Sequence, residues 1–343
     1  MFELGLTEEE AIVRDTARRF AAERLAPQAR DHERARAVPD ELAAGFEELG
    51  LGAVEEDSGT FAHVLVAEEL SAADPAAALA IDRFGLAAHA LREGPLDDLV
   101  REMRASPASR AIAVFDADRE IAVAHGRASG AVRWVPADRA DVVVVLQPDR
   151  LLVLRERFAL RRVQACGLEA AGASELRLDD SPVIATIDDG FRVARAWSRS
   201  RVHVAALLVG AARAAREYAT RYATERVAFG RPIAHHQGLA FLLVDLATAV
   251  DAARLCVWRA AAALDRGEAA SWESAAALAE AAEQGLFVAP NAVQVLGGHG
   301  FMKDHPVEKW MRDVRTLAQL AGGRDRAELD CAALAAQHAV GLA

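Results

Sequence analysis

Two stretches of this 343-residue chain combine residue types that could hold a phosphate-bearing ligand. In Glu225-Arg226-Val-Ala-Phe229-Gly230-Arg231-Pro232-Ile233, followed by His236-Gln237, a guanidinium precedes a Phe-Gly turn. A guanidinium can pair bidentately with phosphate oxygens, and a glycine turn lets backbone approach a ligand. The same residues would also make an ordinary helix–helix turn with a solvated arginine. In Gln294-Val-Leu-Gly297-Gly298-His299-Gly300, the glycines permit positive φ and close approach of backbone amides. A glycine there can equally just cap the preceding helix, a role that suits Gly300 better than the pair Gly297-Gly298. A third stretch runs from Arg312-Asp313 to Ala321-Gly322-Gly323 and ends without an acid.

The elements that must position these residues fall into three zones. Residues 1–105 are rich in Ala, Leu, Glu and Arg at helical spacing. Thr7 with Glu10 three residues on forms a capping box, and helices are expected from there to Pro27, over 39–49, 61–70 and 75–91. Residues 106–188 carry short β-branched runs (111–115, 140–146, 151–154, 174–178) separated by turn clusters, which predicts an antiparallel β domain. Residues 189–343 return to helical periodicity, with long helices over about 193–223, 237–264 and 271–295, a fourth after Pro306 and a last one over 325–340. In the second of these, Asp245, Thr248, Asp251 and Arg254 form one narrow polar stripe. The rest is mostly apolar, which predicts burial on several sides, in a core or a subunit interface. The order helices, strands, helices gives an α+β fold: an N-terminal α-helical domain, a middle antiparallel β-barrel and a C-terminal four-helix bundle.

Composition narrows the function classes. The chain is 52% hydrophobic, enough for a large core, yet no run reaches the roughly 18 apolar residues of a membrane span. No basic-then-apolar leader opens it. Net charge is −11 without a long basic block, which argues against nucleic acid as the main partner. Cys166, Cys256 and Cys331 are odd in number and widely spaced, so they mark neither a disulfide framework nor a zinc knuckle; no metal site is expected, and the setting fits a reducing cytoplasm.

Taken together, the motifs resemble those of the acyl-CoA dehydrogenase family. The Leu6-Thr-Glu-Glu-Glu10 start and Glu68-Glu69-Leu-Ser-Ala-Ala-Asp74-Pro75 look like its first domain. The Arg226 stretch is similar to its Arg-x-x-Phe-Gly-x-Pro-Ile-x-x-x-Gln motif, and the 294–300 loop followed by Arg312-Asp313 occurs in family order and spacing. The resemblance implies FAD as cofactor, with Arg226 on the pyrophosphate, and Phe229, Gln237, Gln294, Gly297 and Gly298 also at the cofactor, the glycine loop packing against the FAD of a neighbouring subunit. It implies an acyl-CoA thioester as substrate, a homo- or hetero-tetramer, and electron-transfer flavoprotein as the default electron acceptor.

The resemblance also implies a base, and here the chain departs from the family. Many members carry Glu where this chain has Ala321; others, isovaleryl-CoA dehydrogenases among them, carry it on the earlier long helix, where this chain has Ser200. No Asp or Glu occurs between Phe191 and Arg216. Losing a general base commonly costs about 10²–10⁴ in rate. Phe115 stands where the family often has a Thr bonded to the flavin ring, and Gly323 where another Thr helps hold FAD. Asp116, His203, Asp325 and Glu328 are the nearest substitutes, each with an ordinary structural role open to it. Three readings follow. The chain could be a base-lacking subunit completing the FAD site of a partner, as in the α2β2 assemblies of relatives acting on steroid side chains. It could be a stand-alone acyl-CoA or acyl-carrier oxidoreductase with an atypical base, or a non-redox acyl-thioester-binding scaffold.

Overall fold

The computed structural model describes residues 5–341. Helices come first: α1 Glu8–Phe20, a π-helical turn Ala21–Leu25, a 3₁₀ turn Ala26–Gln28, α2 Ala29–Ala35, α3 Asp40–Glu48, α4 Val54–Ala73, α5 Pro75–Ile81, α6 Gly85–Leu91 and α7 Asp97–Ala105. The capping box at Thr7 forms, with Thr7 N–H donating to Glu10 Oε2 at 2.7 Å and Glu10 N–H to Thr7 Oγ1 at 3.2 Å. The segment expected to be one helix over 75–91 is two. The Asp82 carboxylate accepts the N–H groups of Phe84 and Gly85 at 3.0 and 2.8 Å, so it restarts the helix rather than continuing it. The first turn of α4 is likewise set apart by a non-helical Gly59, and the N–H groups of Thr60 and Phe61 donate to Asp265, far along the chain, at 2.7 and 2.9 Å.

The strands are β1 Ala111–Phe115, β2 Ala122–Ala124, β3 Arg127–Val135, β4 Val142–Leu146, β5 Leu151–Leu154, β6 Phe158–Arg162 and β7 Ser174–Ile187. Their order is β1-β4-β5-β7-β3-β2, with β6 also on β7. Fourteen-residue β7 bends the sheet: its first half pairs with β3 and β6, its second half with β5. All pairings are antiparallel except β1–β4, which is parallel. The β2–β3 hairpin lies in the connection between them and supplies the long crossover a parallel pair needs. Both faces of β4 and β5 are buried. Val143, Val145, Leu152 and Leu154 point into the curl of the sheet with Leu176 and Leu178. Val144, Leu146, Leu151 and Val153 pack on Leu91, Met103, Val193 and Trp197 of the helices.

The remaining helices are α8 Gly190–Glu225, α9 Gln237–Asp265, α10 Ser271–Leu296, α11 Val307–Leu317 and α12 Gly323–Gly341, with a two-stranded hairpin, β8 Val227–Ala228 and β9 Arg231–Pro232, between α8 and α9. At 36 residues, α8 runs about 54 Å at 1.5 Å per residue, and it is buried without a break from Ser200 to Ala212. Its alanine-rich surface lets α4, α9 and α10 approach closely, and one continuous core joins the N-terminal helices to this bundle. The apolar surface of α9 is only partly covered: Phe241, Val244 and Leu255 are exposed, alongside the polar stripe positions Asp245, Thr248 and Asp251. Its other face packs in the core through Leu246, Val250, Val257 and Leu264. Among the described residues no helix is long and apolar enough to cross a membrane.

Candidate functional site

The Phe-Gly turn is the tip of the β8–β9 hairpin. Phe229 and Gly230 both take positive φ, 53° and 78°, which is the geometry a two-residue hairpin of this twist demands. The consequence is a phenylalanine ring 96% exposed. Arg226 is the residue after α8; its N–H donates to Tyr222 and its carbonyl accepts from Ile233, while its side chain is exposed. Gln237, also exposed, opens α9 on the other side of the hairpin. His236 braces the turn, its Nε2 lying 3.3 Å from the Ala228 carbonyl and its Nδ1 3.2 Å from Arg231 Nη2.

Gln294, Gly297 and Gly298 lie at the end of α10, and all three are exposed. A tyrosine of α8 ties this loop to the end of the helix that carries Arg226: Tyr222 Oη stands 2.8 Å from His299 Nδ1. The three glycines serve different ends. Gly297 ends α10 at φ 61°, ψ −137°, and a Cβ on Gly300 would come within 2.4 Å of the Val293 carbonyl oxygen. Gly298 has neither constraint, and nothing lies within 4 Å of where its Cβ would be. Its smallness leaves open a surface that something outside this chain could approach.

The other candidate positions lie elsewhere and are closed. Ser200 is wholly buried in α8, its hydroxyl donating back to the Ala196 carbonyl at 2.9 Å. Ala321 is wholly buried in the loop between α11 and α12, where Ala321, Gly322 and Gly323 take φ of 53°, 89° and 76°. Trp197 stands against this loop, 3.3 Å from where a Cβ on Gly322 would be, and its Nε1 donates to the Gln147 carbonyl at 3.0 Å. The Phe115 ring packs on Trp197 with centroids 5.4 Å apart.

Of the substitute acids, Asp116 and Glu328 are already engaged. Asp116 accepts the N–H groups of Glu120 and Ile121 and the Gln147 amide at 2.7, 3.1 and 2.8 Å, which makes it a loop organiser. Asp325 is exposed, and exposed Glu328 bonds Arg324 at 2.7 Å on its own helix. His203 faces two other histidines across α4 and α6 rather than the Trp197 region. One carboxylate escaped the sequence reading. Asp330 lines a 230 Å³ cavity with Trp197, Ser198, Arg201 and Arg326. Arg201 and Arg326 both hold it, the latter at 2.9 Å. Only its helical offset from Arg326, one turn earlier, was visible in the sequence.

The motif residues of the first domain are structural. Glu68 meets Arg254 Nε at 2.9 Å and Trp258 Nε1 at 3.1 Å. Glu69 takes Arg18 and Arg213 at 2.9 and 2.8 Å. Lys309 Nζ is buried between Asp74 Oδ1 and Asp313 Oδ2, 2.6 Å from each, and Asp313 also accepts the Leu168 N–H at 2.7 Å. Burial alone would lower the Lys309 pKa, but Asp313 and Asp74 outweigh it and hold the ammonium above its ordinary range. Arg312 spans Glu308 and Glu33.

The family model for the acyl-CoA dehydrogenase C-terminal domain matches residues 188–335, and that for the N-terminal domain matches residues 7–94. The chain belongs to the acyl-CoA dehydrogenase family. It is 39% identical to an acyl-CoA dehydrogenase of Bacillus subtilis over 45% of this chain, and 36% identical to a 3-(aryl)acrylate reductase of Clostridium sporogenes over 43%. These matches span 42% and 39% of the relatives' own lengths. A probable acyl-CoA dehydrogenase, fadE25, of Mycobacterium leprae is 29% identical over 94% of this chain and 93% of its own. Among solved structures, the butyryl-CoA dehydrogenase of Megasphaera elsdenii superposes with a TM-score of 0.85 at 20% identity, covering 97% of this chain and 99% of that one. A glutaryl-CoA dehydrogenase of Mycobacterium smegmatis in complex with FADH2 gives 0.83 at 17%, covering 95% and 94%. These likenesses show the fold, and FAD is the cofactor of the family.

The two ends of the site fit that cofactor unequally. An exposed arginine, an outward aromatic and an unconstrained glycine suit a ligand lying across the Phe229 hairpin and the Gly298 loop. At the other end the Ala321 loop is closed, and the opening beside Trp197 is the 230 Å³ cavity that Asp330 lines.

Proposed function

We propose that this protein is a base-lacking subunit of an acyl-CoA dehydrogenase assembly, whose hairpin and glycine-loop surface completes the FAD site of a partner chain bearing the catalytic carboxylate. The observation that carries the reading is the pair Ser200 and Ala321: both base positions of the family hold uncharged, fully buried residues. When bound, FAD supplies the hydride acceptor for α,β-dehydrogenation of an acyl-CoA thioester. Arg226 would pair with the pyrophosphate, Phe229 would flank the cofactor, and Gln237 and Gln294 would offer amide hydrogen bonds to it. Gly297 and Gly298 bring backbone within reach of the partner-held ligand. The partly uncovered α9 face, with Phe241 and Val244, would seat against another subunit. Electron-transfer flavoprotein is the expected acceptor for the assembly.

Purification tests this. The chain alone should be colourless or hold substoichiometric FAD. Co-expressed with a Glu-bearing paralogue it should purify yellow, as a heteromer with dehydrogenase activity. A lone chain that is yellow with stoichiometric FAD and oxidises acyl-CoAs would sink the reading. That outcome would favour a stand-alone enzyme using Asp330, the carboxylate lining the Trp197 cavity.

A further inference from the structure

Three histidines from three helices meet inside the protein: His63 of α4, His89 of α6 and His203 of α8. We propose that they form a binding site for a divalent transition-metal ion of the zinc class, separate from the flavin surface. One nitrogen from each ring lies within 4.8 Å of the other two. His63 Nε2 and His89 Nε2 each stand 3.1 Å from His203 Nδ1. Zinc–imidazole bonds of about 2.0–2.1 Å in a tetrahedral shell place neighbouring nitrogens about 3.3 Å apart. The two spacings to His203 are close to that of adjacent ligand corners, and the third pair lies within 4.8 Å.

Proton counting separates this from an ordinary hydrogen-bonded cluster. His89 Nδ1 lies 3.0 Å from Glu55 Oε2; with the ring proton on that side, a lone pair faces inward at Nε2. If His203 Nδ1 carries a proton, it can donate well to only one of its two neighbours. If it carries a lone pair, that lone pair faces the lone pair of His89. Protonating His89 only moves the conflict, since two N–H groups then compete for one acceptor. A cation that accepts all three lone pairs removes the conflict.

The surroundings fit a metal centre. A carboxylate on the far nitrogen of a ligating histidine fixes tautomer and orientation. Glu55 is itself held by Thr60 Oγ1 at 3.3 Å and by Arg92. The nearby cations are paired: Arg92 also meets Glu56 at 3.1 Å, and Arg199 meets Glu93 at 2.7 Å and Glu55 at 3.5 Å. Beside two of the three rings, a cavity of 30 Å³ lined by Glu55, His63, Asp82, His89 and Arg92 has room for a water.

The full chain, stripped with chelator and desalted, should be titrated with Co²⁺. The expected result is one equivalent bound with the intense visible absorption of tetrahedral cobalt, bleached by Zn²⁺, and a higher Tm with Zn²⁺. His203→Gln and His63→Gln should abolish the absorption while far-UV circular dichroism stays that of the folded chain. Glu55→Gln should weaken Co²⁺ binding by about 10–100-fold, the usual cost of losing such a carboxylate. Folded wild-type protein showing only the pale spectrum of aqueous Co²⁺ at excess metal overturns the proposal without recourse to any variant. Absorption that survives both histidine substitutions overturns it too, by placing the metal elsewhere.

Discussion

At the Phe229 hairpin the chain holds an aromatic ring almost fully in solvent, on a turn of two left-handed residues. At Ala321, also left-handed, a methyl group sits with no exposure at all, in a loop that Trp197 approaches at Gly322. Both positions come from stretches that a flavin enzyme of this family uses, and both tolerate unusual backbone, yet one is kept open and the other is filled. Apolar exposure is costly when nothing covers it, so an outward Phe229 beside an exposed Arg226 points to a ligand or chain arriving from outside. The buried end carries a different meaning, because Phe115 packs on Trp197 and the space left beside Trp197 is the 230 Å³ cavity that Asp330 lines.

The largest effect expected from probing this contrast is at the closed end. Ala321→Glu should place an unpaired carboxylate in a wholly buried position and cost about 3–5 kcal/mol, read from urea unfolding. It should not create a dehydrogenase; brisk acyl-CoA oxidation by that variant would show that the pocket accepts flavin and substrate after all. Arg226→Ala should leave unfolding unchanged. In the assembled complex it should weaken FAD retention by about 10-fold or more, the value of a hydrogen bond to a charged group of roughly 1.5–3 kcal/mol. Fluorescence of released flavin would measure it, and unaltered retention would detach the hairpin from the cofactor. The glycine loop separates packing from binding at two adjacent residues. Gly300→Ala should cost about 1–3 kcal/mol by collision with Val293. Gly298→Ala should change stability by less than about 0.5 kcal/mol while lowering FAD retention.

The smallest effect lies away from both ends and serves as a baseline. Burial raises the carboxyl pKa of Glu33 and Glu69, but Arg30 and Arg312 for the first, and Arg18 and Arg213 for the second, hold both below the ordinary value of 4.5. Between that value and the lower folded one, the unfolded chain binds more protons. Their stabilisation is therefore complete above about pH 4.5 and is lost as pH falls through the folded pKa. A shallow acid-side decline in Tm, reduced in Glu69→Gln, would show it; a Tm independent of pH over that window would contradict it.

The fold was legible in the sequence because its signals are local. Thr7 and Glu10 close a capping box within one turn, and the runs Ala111–Phe115 and Leu151–Leu154 give strands with the expected bounds. The division at Asp82 was missed because the deciding bonds run from an aspartate side chain to two backbone amides, in a stretch whose alanines read as unbroken helix. The parallel β1–β4 pair was also out of reach, since pairing direction depends on the path between strands rather than on either strand. For the site, the empty positions Ser200 and Ala321 could be read residue by residue. The opposing states of its two ends could not, because exposure is a property of the packed molecule. The histidine cluster left no trace at all: His63, His89 and His203 share no local spacing, and only the crossing of α4, α6 and α8 brings them together.

The buried Lys309 has a consequence for how the chain can be cut. Its two carboxylates come from α5's cap and from α11, and one of them also anchors Leu168 at the edge of the sheet. Separating the N-terminal helices from the C-terminal bundle would therefore strand Asp74 in an apolar interior, and removing the strand segment would take from Asp313 the amide of Leu168. The three zones are distinct to the eye but share a single electrostatic keystone, so isolated pieces should be insoluble where the whole chain is not, and unfolding should proceed in one cooperative step.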